Sequence, residues 1–598
     1  MRKAICQPTD NHIFDTPNIK RCEKYVFTIQ QKLDKAVAND DKPKIRWFLH
    51  LLSKRSRAAK VLATYKITKV NSGRYTAGVD KVAIPRTKEE AEVVRLRLYQ
   101  EIDISRKPMP IRRVFIPKPN GKLRPLGIPT LSDRINQEII RQATEPVCEY
   151  HFHGSSHGFR PKRSCQDAMS EIFKKTSQRT SRQWVIEGDI KGCFDNINHK
   201  HITDTLKSWH VTNGINQSIG QMLKSKIFYD GNITDSENGT PQGGVISPLL
   251  ANVALTTLDE YCQQFGRKAG NKSGGRYTVS PIVRYADDFI IVCENEPEAE
   301  IIKTKIAQHL KETVGLELSD EKTQITQISK GFNFLGFYFR KYVRRDKPKK
   351  DTTDRKTDLL IKPQAEKVNS LRYKLKKTLK ENKASSQEVV IKKLNPIITG
   401  WGMYYRYVVS KATFNKIDSD TKIKLYLWSK RRHPDQPIGW INQRYFSMKG
   451  RRKWDFEDKK TGKYISRLSS IPIKRFIKIN NDHRVYDVKS KEYWEMREYQ
   501  NAKDSILGSG VLSALFGEQK GKCAYCKQPI TKDEINKVEF HKHHMKPRSE
   551  GGDGKLNNLR LVHTLCHREI HALYSRKELS EYADNGIDYL RLMKGKPS

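Results

Sequence analysis

Apolar residues recur at intervals of three and four through residues 16–70, in IKRCEKYVFTIQQKLDKAV and KIRWFLHLLSKRSRAAKVLATYKI, a period that predicts basic amphipathic helices. Between residues 100 and 340 the pattern changes. Short runs rich in β-branched and aromatic residues (RRVFIPK, QWVIEGDI, IVRYADDFIIVC, FNFLGFYF) alternate with longer segments of helical period such as DRINQEIIRQATEPVCEYHF and EAEIIKTKIAQHLKETVG. This alternation predicts an α+β layer. The stretch RRDKPKKDTTDRK, residues 344–356, has no apolar face and reads as a linker. Helical period returns from 364 to about 430, in KVNSLRYKLKKTLK and LNPIITGWGMYYRYVV, with an aromatic cluster of Trp401, Tyr404, Tyr405 and Tyr407. Residues 431–505 read as basic, aromatic and irregular, and the last eighty or so change character again. A chain of 598 residues is also too long for one core, since single cores stop growing at roughly 250–300 residues. The expected architecture is multidomain α+β.

Charge narrows the class of partner. Lys and Arg number 113 against 67 Asp and Glu, a formal net charge of +46 spread along the chain. A field of that sign needs a polyanion. No run approaches the roughly 18 apolar residues of a spanning helix, so the expected partner is nucleic acid and not membrane. Seven of the ten cysteines are scattered singly and three, Cys523, Cys526 and Cys566, lie near the end, which is not a disulfide framework. With no apolar signal core at the N-terminus, the expected compartment is a reducing bacterial cytoplasm.

Two strand-like segments, VIEGDIKGCFDNINH and VRYADDFIIV, carry acids where a structural strand would exclude them. Burying carboxylates is unfavourable by several kcal/mol unless they bind cations. Asp287 and Asp288 fall at a break between apolar runs, as at the turn of a β-hairpin. With Asp189 on a neighbouring strand, hard oxygen ligands would suit two magnesium ions, the arrangement that activates a 3′-hydroxyl and stabilises departing pyrophosphate. An isolated Asp-Asp pair is more often a solvated turn, so the setting has to decide.

Six of the seventeen histidines, His541, His543, His544, His563, His567 and His571, crowd into about thirty residues beside Cys523-Ala-Tyr-Cys526. A Cys-x-x-Cys pair and His563-Thr-Leu-Cys566 at the same spacing provide the four ligands of a closed tetrahedral zinc site, Cys523, Cys526, His563 and Cys566. His567 and His571, four apart, share one face of a helix, while HHMKPRSEGG reads as strand and loop. A structural zinc ribbon alone would leave His543, His544 and His571 unexplained.

The setting is supplied by motif order. RRVFIPKPNGKLRPLGIPTLSDRINQ, HGFRPKRSCQDA, EGDIKGCFDNINH, GTPQGGVISPLLANVAL, YADDF, LSDEKTQIT and FNFLGFYF follow one another across residues 112–339. This series resembles the reverse transcriptases of group II intron-encoded proteins, Tyr285-Ala286-Asp287-Asp288 matching their YxDD box. LNPIITGWGMYYRYVV resembles their maturase domain, and His543-His544, Asn558 and Cys566-His567 with His571 resemble an HNH nuclease of ββα-metal fold. Relatives often carry Asp at the position of His543 and Cys at that of His563.

The resemblance implies a basic helical extension over 1–70, right-hand polymerase fingers and palm over 71–343, an α-helical thumb and maturase domain over 344–440, a DNA-binding region over 441–505, and an HNH endonuclease with structural zinc over 506–598. It implies catalytic Asp189, Asp287 and Asp288 on magnesium. Lys118 and Arg124 would grip the incoming triphosphate, Phe194 would exclude a 2′-hydroxyl, Gln242 would hydrogen-bond template or nucleotide, and Lys322 would protonate pyrophosphate. His544 would be the nuclease's general base, Asn558 would orient its loop, and His543, His567 and His571 would hold a divalent cation, magnesium. Arg406, Lys411, Lys430, Arg431 and Arg432 would contact structured RNA, and GRRKWDFEDKKTGKY with IPIKRFIKINNDHR would attract DNA phosphate. The implied partners are intron RNA, held as a ribonucleoprotein, double-stranded target DNA and dNTPs. Rival readings are a reverse transcriptase of a defence or diversity-generating system, and a splicing-only RNA-binding maturase.

Overall fold

The computed structural model describes residues 13–117, 121, 123–178, 182–235, 239–240, 243–270, 276–343, 357–449, 452–506 and 510–592. Lys118, Gln242 and the linker 344–356 lie outside the described residues. The chain divides into two compact units. One comprises Met1–Ile398 with Tyr404–Asp487, the other Thr399–Met403 with Val488–Ser598.

In the first unit the predicted amphipathic lead-in is helical. Thr16–Ala38 starts with a proline in its first turn, where a missing N–H is harmless. It buries Ile19, Cys22, Val26, Ile29, Leu33 and Val37, a stripe at three- and four-residue spacing. Val26, Ile29, Leu33 and Val37 of that stripe pack on the helix Leu131–His151, which is buried along nearly its whole length. Charges on so buried a helix need partners. Glu138 receives Arg141 and Lys66, and Glu149 receives Arg160.

Beside this helix stands an antiparallel sheet in the order Gln324–Gln327, Trp184–Asp189, Asp288–Cys293, Ile282–Tyr285. Its central strands carry Val185, Ile186, Ile290 and Ile291, all essentially inaccessible, as expected of a sheet covered by helices. Ser247–Tyr261 and Glu296–Thr313 are among those helices. A second sheet runs Leu123–Ile128, Ile111–Pro117, Ile227–Tyr229, Asn232–Thr234. A third pairs Phe332–Phe334, Phe337–Val343 and Thr357–Pro363. Tyr404 and Tyr405 donate to the carbonyls of Leu335 and Gly336, and the Tyr404 ring stacks on Phe337. These two tyrosines of the aromatic cluster are therefore packing residues.

Two expectations are corrected. Residues 431–505 are not irregular throughout: Ile438–Tyr445 is helical, and Phe446–Lys449, Arg452–Asp458 and Lys463–Tyr464 form an antiparallel sheet. Arg406, expected at an RNA surface, is 1% exposed and donates to the Pro472 carbonyl. A guanidinium so enclosed has no face left for phosphate. The basic segment after it is similarly engaged. Lys478 pairs with Glu171, Arg484 with Asp34, the Ile479 amide donates to Asp167 and the Tyr486 hydroxyl to Glu145. Residues 471–487 are thus strapped onto the first unit by their own polar groups.

In the second unit an antiparallel hairpin, Phe540–His544 with Leu559–His563, is followed by the helix Thr564–Leu573. Leu515, Phe516, Leu559, Leu561, Val562, Ile570, Leu579 and Tyr589 form its core. Among the described residues no helix is long and apolar enough to cross a membrane.

Candidate catalytic and metal sites

The acids of the first unit are brought together by strand register. Asp189 ends its strand directly opposite Asp288, and Tyr285 pairs with Asp288 from the other side. Ala286 and Asp287 are therefore the two residues of a tight hairpin turn. Ala286 has φ 59°, a left-handed conformation uncommon outside glycine that requires support from its surroundings.

Sequence reasoning missed the residues that give that support. Arg284 is fully buried and donates to both carboxylate oxygens of Asp259, to Asn252 Oδ1 and to the Ala286 carbonyl. Asn252 in turn donates to the Gly158 carbonyl. A Cβ on Gly158 would lie 2.3 Å from the Ala286 nitrogen, so only glycine allows this approach. The signal was present in VRYADDF, an arginine in an otherwise apolar strand.

Asp287 is pushed up by burial and then by the charge of Asp189, partly offset by Lys322 and Arg124. Asp288 is exposed as a residue, yet protein crowded around its carboxyl, with the charges of Asp287 and Asp189, pushes it up to about 7. Such a cluster of like charges with all-oxygen donors fits a hard divalent cation. Lys322 Nζ lies 2.9 Å from each Asp189 carboxylate oxygen, and this contact raises its pKa. Phe194 follows Gly192, whose φ is 54°, and its half-buried ring meets Phe159 edge-on at 6.3 Å. Arg124 lies on the strand Leu123–Ile128, opposite Ile116.

The second unit gathers two sets of ligands. Ligand atoms of Cys523, Cys526, His563 and Cys566 all lie within 4.8 Å of one another, as do those of His543, His567 and His571. In the first set His563 Nδ1 faces Cys526 Sγ at 3.3 Å, while Nε2 faces the Pro529 carbonyl at 3.3 Å and Glu534 at 3.5 Å. One nitrogen turned to the thiols and the other to oxygen acceptors suits a metal-bound histidine. In the second set burial, then neighbouring histidines, push His543 down to about 3 and His567 down to about 4. Neutral imidazoles are what a cation requires, and the buried Nδ1 of His543 has no protein partner.

His544 is also pushed down, by burial and then by Arg548 and Lys542. Arg548 Nε donates to its Nε2 at 3.1 Å, marking that nitrogen as the one with the lone pair. Asn558 accepts from the Lys546 amide and donates to the Lys546 and Asp553 carbonyls, tying the loop that follows His544. His541 stacks on His567 at 4.5 Å.

Residues 116–339 match the reverse transcriptase (RNA-dependent DNA polymerase) family, residues 15–96 the N-terminal domain of reverse transcriptase, and residues 368–446 the group II intron maturase-specific domain. Residues 523–573 match the HNH endonuclease family. Protein YkfC of Escherichia coli K12 is 32% identical over 344 residues, covering 52% of this chain and 87% of that protein. The chain belongs to the group II intron-encoded proteins. This intron-encoded protein combines an RNA-directed DNA polymerase, a maturase domain and an HNH endonuclease domain in one chain. The group II intron-encoded protein LtrA of Lactococcus lactis is 33% identical over 337 residues, covering 46% of this chain and 55% of LtrA, so the match spans about half of LtrA's length. A telomerase structure from Candida albicans, in complex with a fragment of telomeric RNA, overlaps 59% of this chain and 68% of that one at 14% identity. The TM-score of that overlap is 0.31. Reverse transcriptases and HNH nucleases use divalent metals, and RNA is among the partners of an intron-encoded protein.

Proposed function

We propose that the protein binds its own intron RNA and assists its splicing, nicks one strand of a double-stranded DNA target, and copies the inserted RNA into DNA from the nicked end. The observation that carries the polymerase part is the register that sets Asp189 against Asp288 with Asp287 on the turn between. In this reading Asp189, Asp287 and Asp288 would hold two magnesium ions in the palm. Bound there, divalent cations supply Lewis acidity at the primer 3′-hydroxyl and at the leaving pyrophosphate. Arg124 and Lys118 take the triphosphate of a dNTP. Phe194 lies under its sugar and excludes a 2′-hydroxyl, Gln242 hydrogen-bonds template or nucleotide, and Lys322, kept protonated beside Asp189, gives its proton to pyrophosphate.

For the nuclease, His543, His567 and His571 would hold a divalent cation at the scissile phosphate, their imidazole nitrogens suiting a softer metal than magnesium, and neutral His544 would take a proton from the attacking water on the Nε2 lone pair that Arg548 now covers. Asn558 keeps the His544 loop in place. Cys523, Cys526, His563 and Cys566 hold a structural zinc that pins the hairpin to the preceding turn. Helices over 364–432 and the exposed Arg431 and Arg432 form an RNA-facing thumb and maturase surface.

The test is a His544→Ala variant assembled with intron RNA. The expected result is loss of DNA-strand nicking, by about 100-fold or more, as for removal of a general base, with cDNA synthesis from a pre-annealed primer retained. Unchanged nicking would remove His544 from the mechanism.

A further inference from the structure

We infer that Tyr589 is a positioning residue of the nuclease cation site, holding His543 in the one tautomer that leaves a lone pair for the metal. The inference rests on the proposed nuclease reading. His543 is 1% exposed on the strand Phe540–His544. Its Nε2 lies 2.6 Å from the Tyr589 hydroxyl, and that hydroxyl donates to the Met545 carbonyl at 3.2 Å. A hydroxyl has one proton, and with it directed to Met545 the oxygen must accept from His543 Nε2–H. The imidazole proton is then fixed on Nε2. Nδ1, buried and without a protein partner, carries the lone pair.

The identity of the first ligand explains the need. An aspartate offers an oxygen lone pair in either orientation, whereas a neutral histidine offers one nitrogen, and which one depends on where the other finds an acceptor. Tyr589 lies beyond residues 523–573, the span of the HNH match, so the short helix Tyr589–Leu592 supplies this acceptor to the site. The tyrosine cannot swing away. It is 1% exposed, its ring edge-on to His543 and packed against Tyr574 and Tyr582.

The experiment uses the full-length protein with Mn²⁺ as the probe cation, titrated by electron paramagnetic resonance. Cation bound by the wild type and not by His571→Ala reports the cluster. Tyr589→Phe, which keeps the ring and removes the hydroxyl, is expected to weaken that class of binding by about tenfold or more. Zinc content should be unchanged, and the Nε2–H tautomer of His543 should be lost in long-range ¹H–¹⁵N spectra of histidine-labelled protein. Tyr582→Phe, in the same aromatic cluster, should leave both as in the wild type. Wild-type affinity and tautomer in Tyr589→Phe would overturn the inference and leave the nuclease reading standing, as would equal losses in the two tyrosine variants. No difference between wild type and His571→Ala would overturn both.

Discussion

A carboxyl group hemmed in by protein and by two other carboxylates releases its proton late, and Asp288 is such a group, pushed up to about 7 by its surroundings first and by Asp287 and Asp189 second. The sign of the consequence follows from competition. A cation takes the anion, so protons displace it below about 7 and its affinity should climb with pH and level off above that value. Without cation, the folded protein keeps this proton between about 4 and 7, where the unfolded chain has lost it, so the shift makes folding less favourable as pH rises across that window. Mn²⁺ titrations of a variant lacking the histidine cluster should show tighter binding at pH 8 than at pH 6. Equal affinities would show that Asp288 does not govern the site. Lys322 already covers both oxygens of Asp189, so a bound metal would have to share that carboxylate with the ammonium.

At the scale of elements, the acid hairpin depends on a buried bracket. Arg284 reaches back 25 residues to Asp259 on the helix Ser247–Tyr261 and forward to the carbonyl of Ala286, so helix and turn are tied by one guanidinium. Asp259→Asn leaves that guanidinium buried without its counter-charge. The expected loss is about 3–5 kcal/mol of unfolding free energy in urea, with primer extension reduced even where the fold persists. A loss under 1 kcal/mol with full extension would mean that the bracket is dispensable.

Local patterns made some elements legible and left others hidden. Apolar runs broken by two acids predicted the hairpin Ile282–Cys293, and the four-residue spacing of His567 and His571 predicted a shared helical face. The bracket was readable only at one end: Arg284 stands out in an apolar strand, but nothing in the sequence joins it to Asp259 until the sheet packs on the helix. Arg406 was misread for a related reason: a charged residue is ordinarily solvated, and only tertiary structure discloses the carbonyl that compensates its burial. Tyr589 was unreadable too, 46 residues from the histidine it holds.

For the whole molecule, composition and motif order carried further than secondary structure did. A charge of +46 called for polyanionic partners, and the order of motifs placed polymerase, maturase and nuclease along one chain. Contacts of long range were beyond such a reading. The basic segment near residue 480 looked free to attract DNA, yet its Ile479 amide is held by Asp167, 312 residues away, and its Lys478 and Arg484 are paired. The central claim concerns Asp189, Asp287 and Asp288, and primer extension on poly(rA)/oligo(dT) with magnesium and dTTP tests it most directly. The wild type should extend the primer and Asp287→Ala should not, with the variant's folding and zinc content intact. Extension by Asp287→Ala at the wild-type rate, or no extension by the wild type in several primer-template formats, would contradict the account.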